Sequence, residues 1–241
     1  MLDLEWYDAV DLLREHVFKI STPSGFGTGF LLAAGEPSEL CSIATAAHVI
    51  YHAHQWEGPI RLDHYASGQS VLLHEGERAI AIDPGLDTAA LTFVKHALPL
   101  PEVAHALTPE GMMLAVGCEV GWVGFPAMSP DTPCFFSGRI SAYLSDKNSY
   151  LVDGVAINGV SGGPAIVIEE DGIMVIGVVS AYIPNRATGE PLPGLCLLSD
   201  VTHLQMAVAS FKSLEEAKEE EGTAGAAPQA DTEEAGDAHG A

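Results

Sequence analysis

Asn158-Gly159-Val160-Ser161-Gly162-Gly163-Pro164 decides how this chain is read. One serine sits between glycines, and a proline closes the run. Glycines at this density mean a backbone bent into conformations that only glycine adopts cheaply. They also leave amide N–H groups uncovered by side chains. A serine beside free amides supplies a nucleophile and a place for a developing oxyanion, which is what acyl transfer requires. A glycine-serine hairpin has the same composition and no chemistry. The choice depends on whether the rest of the chain supplies a base and an acid in a compatible order.

The immediate flanks favour strands. Ala165-Ile166-Val167-Ile168 follows the loop, and β-branched runs of this kind suit a pleated surface. Further downstream, residues 173–182 and 196–199 read as strands. Upstream, residues 113–117, 120–125, 134–145 and 150–152 do the same. Residues 16–22, 27–32, 41–45, 71–74, 79–82 and 88–93 give a first half of similar texture. Residues 99–111, with Pro99, Pro101 and Pro109, read as a linker between the halves. The expected organisation is therefore an N-terminal helical extension (1–15), a first β unit (16–98), the linker, a second β unit (112–200), a C-terminal helix (201–221) and a disordered acidic tail (222–241). Leu204, Val208, Phe211 and Leu214 form the apolar face expected of the last helix.

Composition agrees. Among 241 residues, 47% are hydrophobic and only 7% aromatic, with 25 glycines and 15 prolines. That mix suits many short strands and tight turns, with enough apolar surface for a sizeable core. The net charge is −23. Residues 213–241 hold nine acidic residues against Lys218 alone, a net of −8, which leaves −15 for the rest. Such a surface repels nucleic acid and anionic membranes. No stretch reaches the length of a membrane span, and the acidic start Met1-Leu2-Asp3-Leu4-Glu5 lacks the features of a secretory leader. Cys41, Cys118, Cys134 and Cys196 are too widely spaced for a structural zinc site. The expectation is a cytoplasmic protein with reduced thiols.

Two side chains upstream of Ser161 complete a pattern. His48 follows Thr45-Ala46-Ala47, where a strand ends and a helical turn begins. Asp87 stands at the mouth of the strand Thr88-Ala89-Ala90-Leu91. Asp83 competes for the acid's place, but Asp83-Pro84-Gly85 suits an ordinary turn. His48 and His52 have a metal-compatible spacing on a helix, yet nothing nearby completes a ligand set, so no metal and no cofactor is expected. Gly27-Thr28-Gly29 lacks a P-loop lysine and reads as strand glycines that allow close approach.

The order His, Asp, Ser is that of chymotrypsin rather than of subtilisin or the α/β-hydrolases. The motifs carry the resemblance further. Thr45-Ala46-Ala47-His48-Val49 resembles the TAAHV/C motif of trypsin-like serine proteases, and Gly159-Val160-Ser161-Gly162-Gly163-Pro164 resembles their GDSGGP. Gly27-Thr28-Gly29-Phe30-Leu31, Leu86-Asp87-Thr88-Ala89-Ala90-Leu91 and Gly124-Phe125-Pro126 resemble segments of the bacterial HtrA-like branch. The likeness spans residues 16–205.

The resemblance implies an all-β fold of two packed, six-stranded antiparallel β-barrels (chymotrypsin-like), with a short N-terminal helix, a C-terminal helix and a cleft between the barrels. It implies a serine endopeptidase acting on polypeptides. Ser161 attacks the peptide carbonyl, His48 moves the proton, Asp87 orients and stabilises the imidazolium, and the N–H groups of Gly159 and Ser161 hold the oxyanion. Substrate backbone would add as a strand along Ser180, Ala181 and Tyr182. By motif position, Val155 lies at the base of the primary specificity pocket and Tyr182 on its wall, which implies an apolar preference.

Departures from the family pattern are specific. Trypsins use an aspartate just before the serine to bind a freshly cut N-terminus, and Val160 cannot do so. A PDZ domain usually follows an HtrA protease, whereas only a helix and an acidic tail follow here. Three other readings stay open. One is a catalytically silent trypsin fold that binds peptides. Another is an enzyme ordered by a regulatory protein partner, with the tail as its handle, an inhibitor or solubilising charge. The third is an esterase, since Gly159-Val160-Ser161-Gly162-Gly163 also satisfies G-x-S-x-G. That elbow needs a helix after the serine, and only His203 and His239 could then serve as base.

Overall fold

Period-two alternation across short segments, broken by glycine and proline, produces strands rather than helices. The computed structural model describes residues 5–35, 39–170, 172–184 and 191–224, with backbone alone at 181–184, 191–193 and 219–224. In chain order the elements are α1 (Trp6–Arg14), β1 (Val17–Thr22), β2 (Gly25–Ala34), β3 (Leu40–Ala46), α2 (Ala47–Gln55), β4 (Ile60–His64), β5 (Ser70–Leu73), β6 (Arg78–Asp83) and β7 (Thr88–Val94). There follow β8 (Ala106–Leu107), β9 (Glu119–Gly124), β10 (Cys134–Leu144), β11 (Ser149–Asp153), β12 (Pro164–Glu169), β13 (Gly172–Pro184), β14 (Pro191–Asp200) and α3 (Thr202–Ala224).

The strands form two β-barrels of the trypsin-like type, one closed and one half-open. In the second half, the order β9-β10-β11-β14-β13-β12 returns on itself through β12–β13 and β12–β9 pairing, so six antiparallel strands close. The first half has seven strands, in the order β5-β4-β1-β2-β3-β7-β6. That is one more than the expected six, because residues 60–83 divide into three short strands. Its end strands β5 and β6 are not paired with each other among the described residues. Arg78, the first residue of β6, reaches from it to the neighbouring segments: its guanidinium donates to Leu73 O (2.8 Å) on β5 and to Gly58 O (2.7 Å) before β4.

The expected linker has structure of its own. Ala106 and Leu107 form β8, which pairs in parallel with Met174 and Val175 on β13. Thr108 adds a backbone bond to Val175 O and a second from its hydroxyl. The connection is thereby fixed to the second barrel over its last residues.

Burial follows the strand faces. Phe18, Ile20, Ile43, Leu62 and Leu91 fill the first half, and one continuous cluster joins them to Val123, Phe125, Ile166 and Val178 of the second. A separate cluster around Trp122, Tyr150, Val152 and Leu198 fills the closed barrel. Helix α1 lies on β9, where Gly121 leaves room for the Trp6 ring and Trp6 meets Phe135 at 5.4 Å. Helix α3 lies against β2 and β7, with Leu204 in the core cluster and Phe211 buried. Leu214, expected on the same face, is 51% exposed. Residues 225–241, most of the expected disordered tail, lie outside the described residues.

Candidate active site

The site forms where β3, β7, β13 and the loop before β12 converge. β3 ends in small residues, Ala44-Thr45-Ala46, and the chain turns at once into α2, which carries His48 in its first turn. The N-cap residue Ala46 has no side chain able to cap the helix. Asp87 does it from another segment. Its Oδ1 accepts the His48 backbone N–H (2.9 Å), and its own carbonyl accepts the Ala47 N–H (3.1 Å). A carboxylate at a helix N-terminus meets free N–H groups and the positive end of the helix dipole.

The same carboxylate holds the His48 ring. His48 Nδ1 lies 2.8 Å from Asp87 Oδ2 and 3.0 Å from Oδ1. An ionised carboxylate only accepts, so Nδ1 carries the hydrogen and Nε2 keeps its lone pair in the neutral ring. Ser180 supplies a further bond that the sequence did not disclose. Its hydroxyl donates to Asp87 Oδ2 at 2.6 Å. Ser180 sits where the β13–β14 register shifts, and a bulge of this kind turns a side chain out of its regular face. Burial pushes the Asp87 carboxyl up. The His48 ring hydrogen bond and charge, the Ser180 hydroxyl and the His48 amide outweigh it, and the group lies below the ordinary carboxylate value.

Ser161 approaches the same strand. Its Oγ lies 3.4 Å from the carbonyl of Ser180, whose hydroxyl reaches Asp87. The structure therefore brings Ser161, Ser180, Asp87 and His48 into one connected group. Among the described residues, no hydrogen bond joins Ser161 directly to His48; the serine hydroxyl is turned toward β13.

The loop before β12 is tied at four consecutive carbonyls. Asn158 O accepts from Ala127 N, Gly159 O from the Thr28 hydroxyl, Val160 O from Gly163 N, and Ser161 O from Thr28 N. The amides of Gly159 and Ser161 have no backbone acceptor among the described residues. Gly159 has φ +91°, and a side chain there would lie 2.2 Å from the Phe125 carbonyl. Only glycine meets both conditions. Val160 is fully buried in the second-barrel cluster.

The other expected residues fall as follows. Val155 lies in the loop after β11 and is 47% exposed. The side chains of Ala181 and Tyr182 lie outside the described residues, and their backbone belongs to β13. Asp83 accepts from the amides of Gly85 and Leu86, which makes it the turn aspartate of the β6–β7 connection. His203 bonds the Thr88 hydroxyl at 2.9 Å, and a strand rather than a helix follows Ser161. Among the described residues, an esterase elbow has neither its helix nor its base; His239 lies outside them. Among the described residues, no three His, Cys, Asp or Glu side chains gather as a metal site, and no helix is long and apolar enough to cross a membrane.

Comparison with known proteins agrees with the fold. The family model "Trypsin-like peptidase domain" matches residues 27–178. Among solved structures, Rv3671c of M. tuberculosis H37Rv, a serine-to-alanine mutant in an inactive form, is similar at 20% identity, with a TM-score of 0.58 over 85% of this chain and 90% of that one. The serine endoprotease from Yersinia pestis gives 18% identity and a TM-score of 0.60 over 90% of this chain and 68% of that one. Deg5 gives 22% identity and a TM-score of 0.54 over 74% and 88%. A search of curated protein sequences finds no match. The chain thus belongs to the trypsin-like peptidase domain family.

Proposed function

We propose that this protein is a serine endopeptidase that works through His48, Asp87 and Ser161. The observation that carries the reading is the bond between Asp87 and His48 Nδ1, with Ser161 tied through Ser180 to the same carboxylate. Ser161 Oγ attacks the carbonyl carbon of a peptide bond and passes its proton to His48 Nε2. The imidazolium, paired with Asp87, gives that proton to the leaving amine as the acyl-enzyme forms. Water then repeats the sequence and releases the acid. The free amides of Gly159 and Ser161 receive the oxyanion. Losing one such donor typically costs on the order of 100-fold or more in rate.

Substrate backbone pairs with residues 180–182, and the exposed Val155 offers an apolar contact to the substrate side chain. The chemistry needs no cofactor, since every proton and bond is handled by side chains and backbone. We place the protein in the cytoplasm, on its four free cysteines.

A partner-activated protease is the second reading, and one observation favours it. The Ser161 hydroxyl faces Ser180 O rather than His48. Hydrogen bonds in free enzymes are often long before substrate or partner arrives.

The test uses the full chain and a fluorophosphonate, which reacts only with an activated serine. The protein is expected to label, and Ser161→Ala to abolish labelling. Labelling that survives this substitution would sink the assignment. A wild-type chain that labels only after addition of cell extract would favour the partner-activated reading.

A further inference from the structure

The Thr28 side chain has no part in the triad, yet it sits at the centre of the loop that carries the nucleophile. It is fully buried on β2, in the first half of the chain. Its Oγ1 accepts the Phe125 N–H at 3.0 Å and donates to the Gly159 carbonyl at 2.8 Å. Its backbone N–H donates to Ser161 O at 2.8 Å, and its backbone carbonyl accepts the Thr45 hydroxyl at 2.7 Å. One residue of the first half thus engages both residues whose amides have no backbone acceptor among the described residues, and connects them to the strand that leads to His48.

We propose that the Thr28 hydroxyl is the positioning device of the oxyanion loop, fixing the Gly159 peptide across the boundary between the two halves. The proposal rests on the serine-protease reading above.

The geometry makes the hydroxyl specific. A hydroxyl can accept from one group and donate to another, and here it must do both, because Phe125 offers only an N–H and Gly159 only a C=O. The Gly159–Val160 peptide is planar, so holding its carbonyl sets the plane of the whole unit. Ala127 N–H, on Asn158 O, holds the preceding peptide, and the two ties together fix the φ and ψ of Gly159. The Gly159 N–H belongs to the peptide that Ala127 holds; without the hydroxyl tie the ψ of Gly159 is free to change, and the following segment, which carries the Ser161 N–H, moves away from it.

Val160 adds an apolar anchor. The position where trypsins place a charge for a new N-terminus is a buried valine. The loop is held from within the folded chain by Thr28 and Val160, and no cleaved terminus is needed to order it.

The test compares two side chains of similar size that differ by the hydroxyl. Thr28→Ser and Thr28→Ala both lose the methyl, and only the first keeps the donor and acceptor. Fluorophosphonate labelling of the full chain is resolved into reversible binding and the inactivation step, and folding is followed by the near-ultraviolet circular dichroism of the buried Trp122. The serine variant is expected to inactivate about ten- to 100-fold faster than the alanine variant, with binding unchanged, because misplacing a reacting group by about 1 Å costs on the order of 100-fold. Equal inactivation rates overturn the proposal. An alanine variant that fails to fold beside a folded serine variant also overturns it, since the hydroxyl would then act on the fold at large. A wild-type chain that labels neither alone nor with cell extract refutes the triad reading itself, a result distinct from either outcome.

Discussion

Asp87 carries more of the site than its place in the chain suggests. It has φ 52°, in the left-handed region where non-glycine residues are rare and aspartate is among the more tolerated. That backbone lets one residue cap α2 with both its carboxylate and its carbonyl while still reaching the His48 ring. Asp87→Asn keeps the size but replaces one acceptor oxygen with an NH₂ donor. The ring then favours the wrong tautomer, and the labelling or cleavage rate is expected to fall on the order of 10⁴-fold. The same change at Asp83, which serves only turn amides, should leave the rate within a few-fold. An equal loss at both positions would show that the acid is misassigned. The sequence offered both aspartates and the turn chemistry of Pro84-Gly85 to separate them. It offered nothing for the hydroxyls of Thr28 and Ser180. Thr28 lies 131 residues from Gly159 and 97 from Phe125, and Ser180 lies 93 from Asp87, so no local pattern records these pairings.

At the scale of elements, α1 is held to the inter-barrel segment by two histidines. His16 Nδ1 faces Leu12 O and Nε2 faces Val103 O, both at 3.1 Å, and His105 Nε2 faces Leu12 O at 3.3 Å. The rings lie 4.0 Å apart. Burial first, and then repulsion from His16, lowers His105 from the ordinary 6.5 to about 4. In the unfolded chain His105 gains its proton near 6.5, whereas in the folded protein it does so only near 4. Between those values the unfolded state binds more protons, so stability rises with pH and is lost as pH falls through that window. Thermal midpoints measured between pH 7 and pH 4 should therefore decline, and His105→Phe should flatten the decline. An unchanged slope in the variant would assign the pH dependence to other groups. Neither histidine was singled out in the sequence: His16 stands at the start of a strand pattern that says nothing of its partners, and a linker between prolines gives His105 no periodic signal. Strand β8 was missed for the same reason: two residues are too few to alternate. The long strands and α3 were legible because each repeats its apolar period over several residues.

At the scale of the molecule, the question is whether two halves make one cooperative unit. The sequence suggested two packed barrels joined by a linker, an arrangement that by itself still allows independent unfolding. The structure shows a core cluster running from Phe18 and Ile43 into Phe125, Ile166 and Val178, with Thr28 bonded across the boundary. Such a shared core was not legible, because periodicity tells which face of a strand is buried and not which neighbour buries it. Large contiguous burial of this kind couples the halves, and two-state unfolding follows when neither half retains a complete core alone. Cysteines offer a probe in each. Cys41 lies buried in the first half and Cys196 in the second, and burial pushes both thiols up to about 12. Thiols held neutral and covered react slowly, so reactivity reports opening. In variants that keep only one of these two cysteines, with Cys118 and Cys134 replaced by serine, both thiols should become reactive at the same urea concentration. That midpoint should coincide with the loss of the Trp122 signal. A first half that opens at lower urea would mean that the boundary contacts do not couple the barrels. In that event Thr28 would detach from Gly159 before the second barrel melts, and activity would be lost ahead of the Trp122 signal.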